Sequence, residues 1–304
     1  MRSIFLIAAL VFSHQAGAAD FQSRNSADIG FTTNANLTSD DQESDLYYRF
    51  ISRNSFSNNN HRYAIKFGFT DYFSEHQNDL LSLRLEDKWG SRKDFEKSFS
   101  IIGQLYPNGE SATTESAFDS VGLDFNIARD WTNDSALTGD WGTGYRLRFY
   151  PSFDNRNDHT IFGFVSGSYD YSTNINFGLS SEGGLIYSSL SDYSRIYFDV
   201  TGSADLTLAN RWSLSNELTL SHSRFLSRDV TTQIAVTNKG KSPQTKTYSE
   251  KEKYLTIYLS SEAMREQTDN FSWGGGVYLT QQSSASDMQD YSALELMGKL
   301  IYIF

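Results

Sequence analysis

The chain has 304 residues, 38% of them hydrophobic and 15% aromatic, with three prolines, no cysteine and a formal net charge of −11. The missing cysteines exclude a disulfide framework, a cysteine-ligated metal centre and a lipid-anchored lipoprotein, and the acidic balance argues against a nucleic-acid partner. Mean hydropathy is that of a water-soluble protein, and beyond the first dozen residues no segment is apolar enough to form a spanning helix.

At the start, Arg2 precedes an apolar run from Ile4 to Phe12, followed by Ala16, Gly17 and Ala18 in the small-x-small pattern of a signal-peptidase site. The run is too short to span a bilayer as a mature helix. Residues 1–18 are therefore expected to be an export signal, and residues 19–304 a single domain without internal linker or repeat.

From there on the dominant signal is a period of two. Candidate strands cover 26–38, 44–56, 60–73, 79–90, 95–107, 117–129, 141–153, 159–172, 174–188, 194–208, 211–226, 252–264, 270–282 and 290–304. That is about fourteen, within a range of roughly twelve to sixteen, and an even number returns both ends of a closed antiparallel sheet to the same side. The best pair joins Ile196, Phe198, Val200 and Leu206 on one strand to Trp212, Leu214, Leu218 and Leu220 on the next, through the short turn Ala209-Asn210. Strands that are apolar only at alternate positions reconcile a low hydropathy with a membrane location. They predict an all-β fold, a transmembrane antiparallel up-and-down β-barrel.

Short connectors such as 57–59, 91–94 and 209–210 alternate with longer polar ones such as 39–43, 108–116 and 227–251. One connector breaks the scheme, because 130–140 reads as a longish loop on the short-turn side. The Thr-, Ser- and Lys-rich stretch 231–253 reads as a solvated loop. A sharper reading has it fold over the barrel mouth, or contact lipopolysaccharide phosphates through Lys239, Lys241, Lys246 and Lys251.

The alternation also assigns an inward face. On the second to fourth strands it holds Arg49, Arg53, Arg62, Lys66, Arg84 and Lys88, and the seventh adds Arg146 and Arg148. Later inward positions are acidic: Glu182, Asp199, Asp205, Glu217, Glu262 and Glu295, with Glu96 and Asp124 in between. Sequence order is order around the wall, so one side of the lumen should be basic and the opposite side acidic. The bland alternative is that these charges pair across neighbouring strands and fill the lumen, as Arg84 and Glu86 would.

The last strand fixes the phase. Leu294, Leu296, Leu300, Tyr302 and Phe304 share one face, while Glu295 and Lys299 share the other. A strand of this kind resembles the closing strand of Gram-negative outer-membrane barrels, and the resemblance covers the whole mature chain as a pattern, without a motif specific to one family. It implies that Leu300, Tyr302 and Phe304 are read by the barrel-insertion machinery, and that outer-membrane lipids and lipopolysaccharide surround the wall. A lumen with facing charges of opposite sign resembles the constriction of general diffusion porins.

Enzymatic chemistry finds little support. His222-Ser223 is the only His-Ser neighbour pair of the mature chain, with His222 in lipid-facing register, and Arg224-Phe225 follows in place of the Ser-Asn-Gly continuation of the outer-membrane phospholipases. Asp40, Asp41, Asp45 and His76 lie in or beside the first two long loops, but nothing fixes them into a dyad. No catalytic residue, metal or cofactor is assigned. The expected function is a porin-like channel for passive diffusion of small hydrophilic solutes, in its stronger form anionic sugars, with Tyr47 and Tyr72 as stacking surfaces. The alternative is a non-conducting barrel with a structural or surface-interaction role. A lipid-modifying enzyme ranks behind both. No group of adjacent strands loses its apolar outer face, so a monomer is expected.

Overall fold

The computed structural model describes residues 20–35, 37, 43–58, 61–107, 119–134, 136–236, 244–285 and 290–304. The segment read as an export signal lies outside them. Among the described residues the strands are β1 (Asp20–Thr32), β2 (Asp45–Ser57), β3 (His61–Tyr72), β4 (Leu80–Trp89), β5 (Glu96–Leu105), β6 (Ser120–Asp134) and β7 (Leu137–Tyr150). They continue as β8 (Arg156–Ser172), β9 (Ile175–Ser188), β10 (Arg195–Thr207), β11 (Trp212–Val236), β12 (Gln244–Thr268), β13 (Phe271–Ser284) and β14 (Tyr291–Ile303). Each strand pairs with its sequence neighbours, and β1 pairs antiparallel with β14, so the sheet is a closed barrel of fourteen strands.

Closure follows from what a bilayer demands of a strand. In hydrocarbon every backbone N–H and C=O needs a partner within the protein, and a closed ladder has no edge to leave open. The seam carries side-chain information as well, since Asp28 stands opposite Lys299 and Gly30 opposite Met297. Past the last ladder pair, the Phe304 amide donates to the Ser23 carbonyl at 2.8 Å.

Alternation becomes two faces with different solvents. On β14, Leu296 and Leu300 are 47% and 51% exposed while Met297 and Ile301 are 6% and 8% exposed, so the leucines point outward as the closing-strand pattern predicts. The same outward row runs round the wall through Phe50, Leu83, Ile101, Phe125, Ile161, Leu179, Leu218 and Leu259, all exposed large apolar side chains. A continuous apolar belt on a closed barrel is the surface that lipid covers. No helix among the described residues is long and apolar enough to cross a membrane.

Three elements depart from the sequence expectation. β1 starts at Asp20, six residues before the expected start at 26, and pairs with β2 from its first residue. The expected 130–140 loop is a continuation of β6 and β7, which stay paired through Asp130–Asp140 and Thr132–Thr138 to Asp134–Leu137. Beyond the apolar belt a strand needs no apolar face, so alternation gives no signal there.

The largest correction concerns 227–251. β11 and β12 each run for 25 residues, and their pairing resumes at Asp229–Lys251 and continues to Val236–Gln244. The stretch read as a loop is therefore a two-stranded ribbon that projects about 25 Å past the barrel on the long-loop side. Lys251 is ion-paired with Asp229 at 2.9 Å, and the Lys246 backbone pairs with Ile234. Lys239 and Lys241 lie outside the described residues. The tight turn expected at Ala209-Asn210 is present, with Asn210 and Arg211 at φ of 62° and 61°, a left-handed conformation that asparagine tolerates better than most residues.

Candidate functional site

All the charged positions assigned inward by alternation sit on the face opposite the apolar belt. On β2 to β4 the structure places Arg49, Arg53, Arg62, Lys66, Arg84 and Lys88 on that face, and most of them have found carboxylates. Arg49 donates from Nε to Asp28 at 2.9 Å, and Arg62 pairs with the buried Glu96. Glu86 takes Arg84 at 3.4 Å and Lys88 at 3.5 Å.

Arg53 and Lys66 differ. Among the described residues neither makes an ion pair, and the same holds for Arg24 of β1. The register puts these three in one cross-strand row with Arg84, through the pairs Arg24–Arg53, Arg53–Lys66 and Lys66–Arg84. Like charges directly opposite each other on a sheet repel. A cavity of about 280 Å³ opens onto this row, lined by Arg53, Ala64, Lys66, Arg84, Glu86 and Lys88.

On the other side of the barrel, charge is matched locally. Arg146 makes a bidentate pair with Glu182 at 2.8 and 2.9 Å, its guanidinium stacks 3.9 Å from the Phe162 ring centroid, and the Tyr197 hydroxyl donates to the same Glu182 at 2.8 Å. Arg148 reaches Asp124 at 2.5 Å. Asp199 and Asp205 accept from Ser221 and Ser215, and Glu217 accepts from Thr219 at 3.4 Å. Glu262 holds Lys299 at 2.8 Å and the Tyr278 hydroxyl at 2.5 Å, while Glu295 accepts from Tyr47. Tyr47, the stacking surface named with Tyr72, does meet it, with ring centroids 5.5 Å apart.

These contacts do not erase the circumferential pattern. In the strand order β3 and β10 are seven strands apart in either direction, so the Arg62 and Lys66 strand faces the Asp199 and Asp205 strand across the barrel. A second cavity of about 510 Å³ joins Arg84 of β4 to Arg146, Glu182, Asp199 and Ser221 of β7 to β11. Its lining crosses the lumen, and it carries both signs of charge.

Sequence reading missed a further group at the long-loop end. Arg156 is 1% exposed and bonds Asp158 at 2.8 and 2.5 Å, with its guanidinium 3.9 Å from the Tyr193 ring centroid and 4.8 Å from that of Tyr150. Beside the slip in β11–β12 register between Arg224 and Asp229, Phe225 stands in the inward register opposite Arg195 at 0% exposure, and Arg228 stacks on it at 4.3 Å and pairs with Glu252 at 3.2 Å. The Leu226 amide donates to the Ser194 carbonyl at 2.9 Å, which ties the slipped segment to the loop carrying Tyr193. Two glycines make room for inward aromatics lower down. A Cβ on Gly144 would stand 2.4 Å from the Phe162 ring, and one on Gly30 would stand 2.3 Å from that of Tyr47. A glycine beside an aromatic on the inward register was the available signal.

Histidine and acid clusters lie elsewhere. His222 and Ser223 occupy opposite faces, the first opposite Phe198 and the second opposite Tyr197. Asp45 is buried and accepts the amides of Leu46, Ser74 and Glu75, so it shapes the second long loop; Asp40 and Asp41 lie outside the described residues. Among the described residues, Asp71, His76 and Asp79 bring ligand atoms within 4.8 Å of one another at that loop, a set whose atoms could hold a divalent cation.

No protein-family model matches the chain, and no curated protein matches it. Its fold does match solved structures. A bacterial polysaccharide outer membrane secretin superposes with a TM-score of 0.53 at 9% identity, covering 93% of this chain and 98% of that one. OprB of Pseudomonas putida gives 0.52 at 7% identity with 94% of each chain covered, and OmpT of Vibrio cholerae, an outer-membrane protein, gives 0.50 at 10% with 95% and 98% covered. At such identities the likeness is one of fold, that of the outer-membrane β-barrels.

Proposed function

We propose that this barrel is a porin-like outer-membrane channel for passive diffusion of small hydrophilic solutes, with a preference for anions. One observation carries the reading: a single cavity is lined by Arg84 of β4 and, across the barrel, by side chains of both charge signs from β6 to β11. A transverse field across water orients dipolar solutes and sorts ions by sign. Barrels of about eight strands are filled by their own side chains and those of about sixteen hold aqueous channels, so fourteen lies nearer the open case. Catalysis forms no part of the proposal. The barrel is taken to act as a monomer among outer-membrane lipids and lipopolysaccharide, having been inserted through recognition of Leu300, Tyr302 and Phe304.

A second reading has its own support. The stack of Tyr150, Arg156, Tyr193, Phe225 and Arg228 fills the long-loop end on one side, as a non-conducting barrel with a surface role would require. Conductance of the refolded chain in a planar lipid bilayer separates the two. Stepwise ohmic conductance that scales with salt supports the channel, whereas silence across pH and salt supports the closed barrel. In a salt gradient, charge reversal at Arg53 should move the reversal potential toward cation preference more than reversal at Arg49 or Arg84, which already have carboxylate partners.

A further inference from the structure

We infer that Arg24, Arg53, Lys66 and Arg84 form one binding station for a linear polyanion that carries a negative charge about every 5 Å, such as an oligosaccharide of uronic acids. The inference rests on the lumen reading above and names its site and ligand class.

Three facts of the structure converge on the row. The four residues are direct cross-strand partners in sequence, β1 to β2 to β3 to β4, and all face inward. Glu86, beside Arg84 at 3.4 Å, is the one carboxylate bonded to any of them among the described residues. The neighbouring inward cations Arg49, Arg62 and Lys88 each hold a carboxylate, Lys88 sharing Glu86 with Arg84, so carboxylates gather around the row and touch it only at its Arg84 end. Such a row works against the sheet that carries it, because each cation repels the one beside it. An anion laid along the row relieves all three of these neighbouring repulsions.

Geometry selects the shape of the ligand. Adjacent strands lie about 4.8 Å apart, so four cross-strand neighbours span about 14 Å. A single small oxyanion reaches two of them at most, whereas a chain with charges at about the strand spacing meets all four. Strands of membrane barrels tilt by about 40°, so a row perpendicular to them descends obliquely along the pore axis. The row is thus a staircase along the transport direction, and the cavity of about 280 Å³ beside Arg53 and Lys66 leaves space over its middle steps.

The test uses the refolded full chain in detergent, titrated calorimetrically with a hexamer of uronic acid, a neutral hexamer of the same ring number, and acetate. The uronate hexamer should bind at least about tenfold more tightly than the neutral one, weaken steeply as salt is raised, and lose about tenfold in the double variant Arg53→Gln, Lys66→Gln. The charge-conserving pair Arg53→Lys, Lys66→Arg should retain binding, which separates lost charge from lost fold. Equal binding of charged and neutral hexamers, or a double glutamine variant that binds like the parent, overturns the inference. Bilayer recordings with the same hexamers keep the two readings apart. A barrel that conducts without charge-dependent block refutes the station alone. One that never conducts but binds the uronate hexamer through the row keeps the station and refutes the channel.

Discussion

Arg156 and Lys66 are both cations on the inner wall, and the molecule treats them in opposite ways. Arg156 is 1% exposed, doubly bonded to Asp158 and packed against tyrosine rings; Lys66 stands exposed between two other cations, with no carboxylate bonded to it among the described residues. In the first region the fold has supplied a carboxylate for two of the guanidinium nitrogens and aromatic rings for its face, leaving Nη1 without a hydrogen-bond partner among the described residues. In the second it leaves the charge to water. The contrast teaches that a count of inward arginines and lysines says little about a lumen, because a cation buried against its own carboxylate is far less available to a passing solute than one exposed to water.

The comparison breaks most visibly at the buried end. Asp158→Ala strands the Arg156 guanidinium and should cost about 3–5 kcal/mol of unfolding free energy in lipid vesicles, while Arg156→Met combined with Asp158→Leu should recover most of it. Arg53→Ala, which removes a cation flanked by Arg24 and Lys66, should not lower the same denaturant curve. If the two single variants shift the curve equally, the wall is energetically uniform and the contrast fails. Next in size, Tyr193→Ala removes the ring that lies 3.9 Å from Arg156 and 5.0 Å from Arg228. Two cation–π contacts in a largely dry cluster predict a loss of about 1–3 kcal/mol, read in the same assay.

Why these two regions were unequally legible in sequence follows from where each sits. Leu294 to Phe304 announced strand phase because one face meets lipid throughout, and that phase carried every charged position assigned inward. Arg156 and Asp158 fell in the gap between the expected strands 141–153 and 159–172, beyond the apolar belt, where alternation carries no signal. Arg24 escaped for the same reason, as it precedes the expected start of the first strand at 26. From 244 to 251 the ribbon of β11 and β12 carries no apolar alternation, so its Thr-, Ser- and Lys-rich sequence is indistinguishable from a loop until the pairing from Asp229–Lys251 to Val236–Gln244 is seen. Partners such as Asp28 for Arg49 depend on cross-strand register, which alternation within one strand does not contain.

Ion selectivity sharpens the comparison further. Replacing Lys66 by Gln should move the reversal potential in a salt gradient toward cations, whereas Arg146→Gln, the same change of one charge, should move it less, because Glu182 already pairs with that guanidinium at 2.8 and 2.9 Å. Equal shifts would show that pairing within the wall does not hide a charge from the permeating ion.

The smallest effect is the most discriminating, because it has the opposite sign from ordinary damage. Lys66 sits between Arg53 and Arg84, so Lys66→Gln removes one repulsion on each side and breaks no bond. Each relieved like-charge contact is of order 0.2–1 kcal/mol, and water and salt reduce it toward the lower figure. The variant should therefore unfold at a slightly higher denaturant concentration than the parent in dilute buffer, and the gain should shrink as salt is added. Stability that falls on this substitution would mean that Lys66 holds the wall together, and the row would then be part of the scaffold and not a surface kept free for a solute.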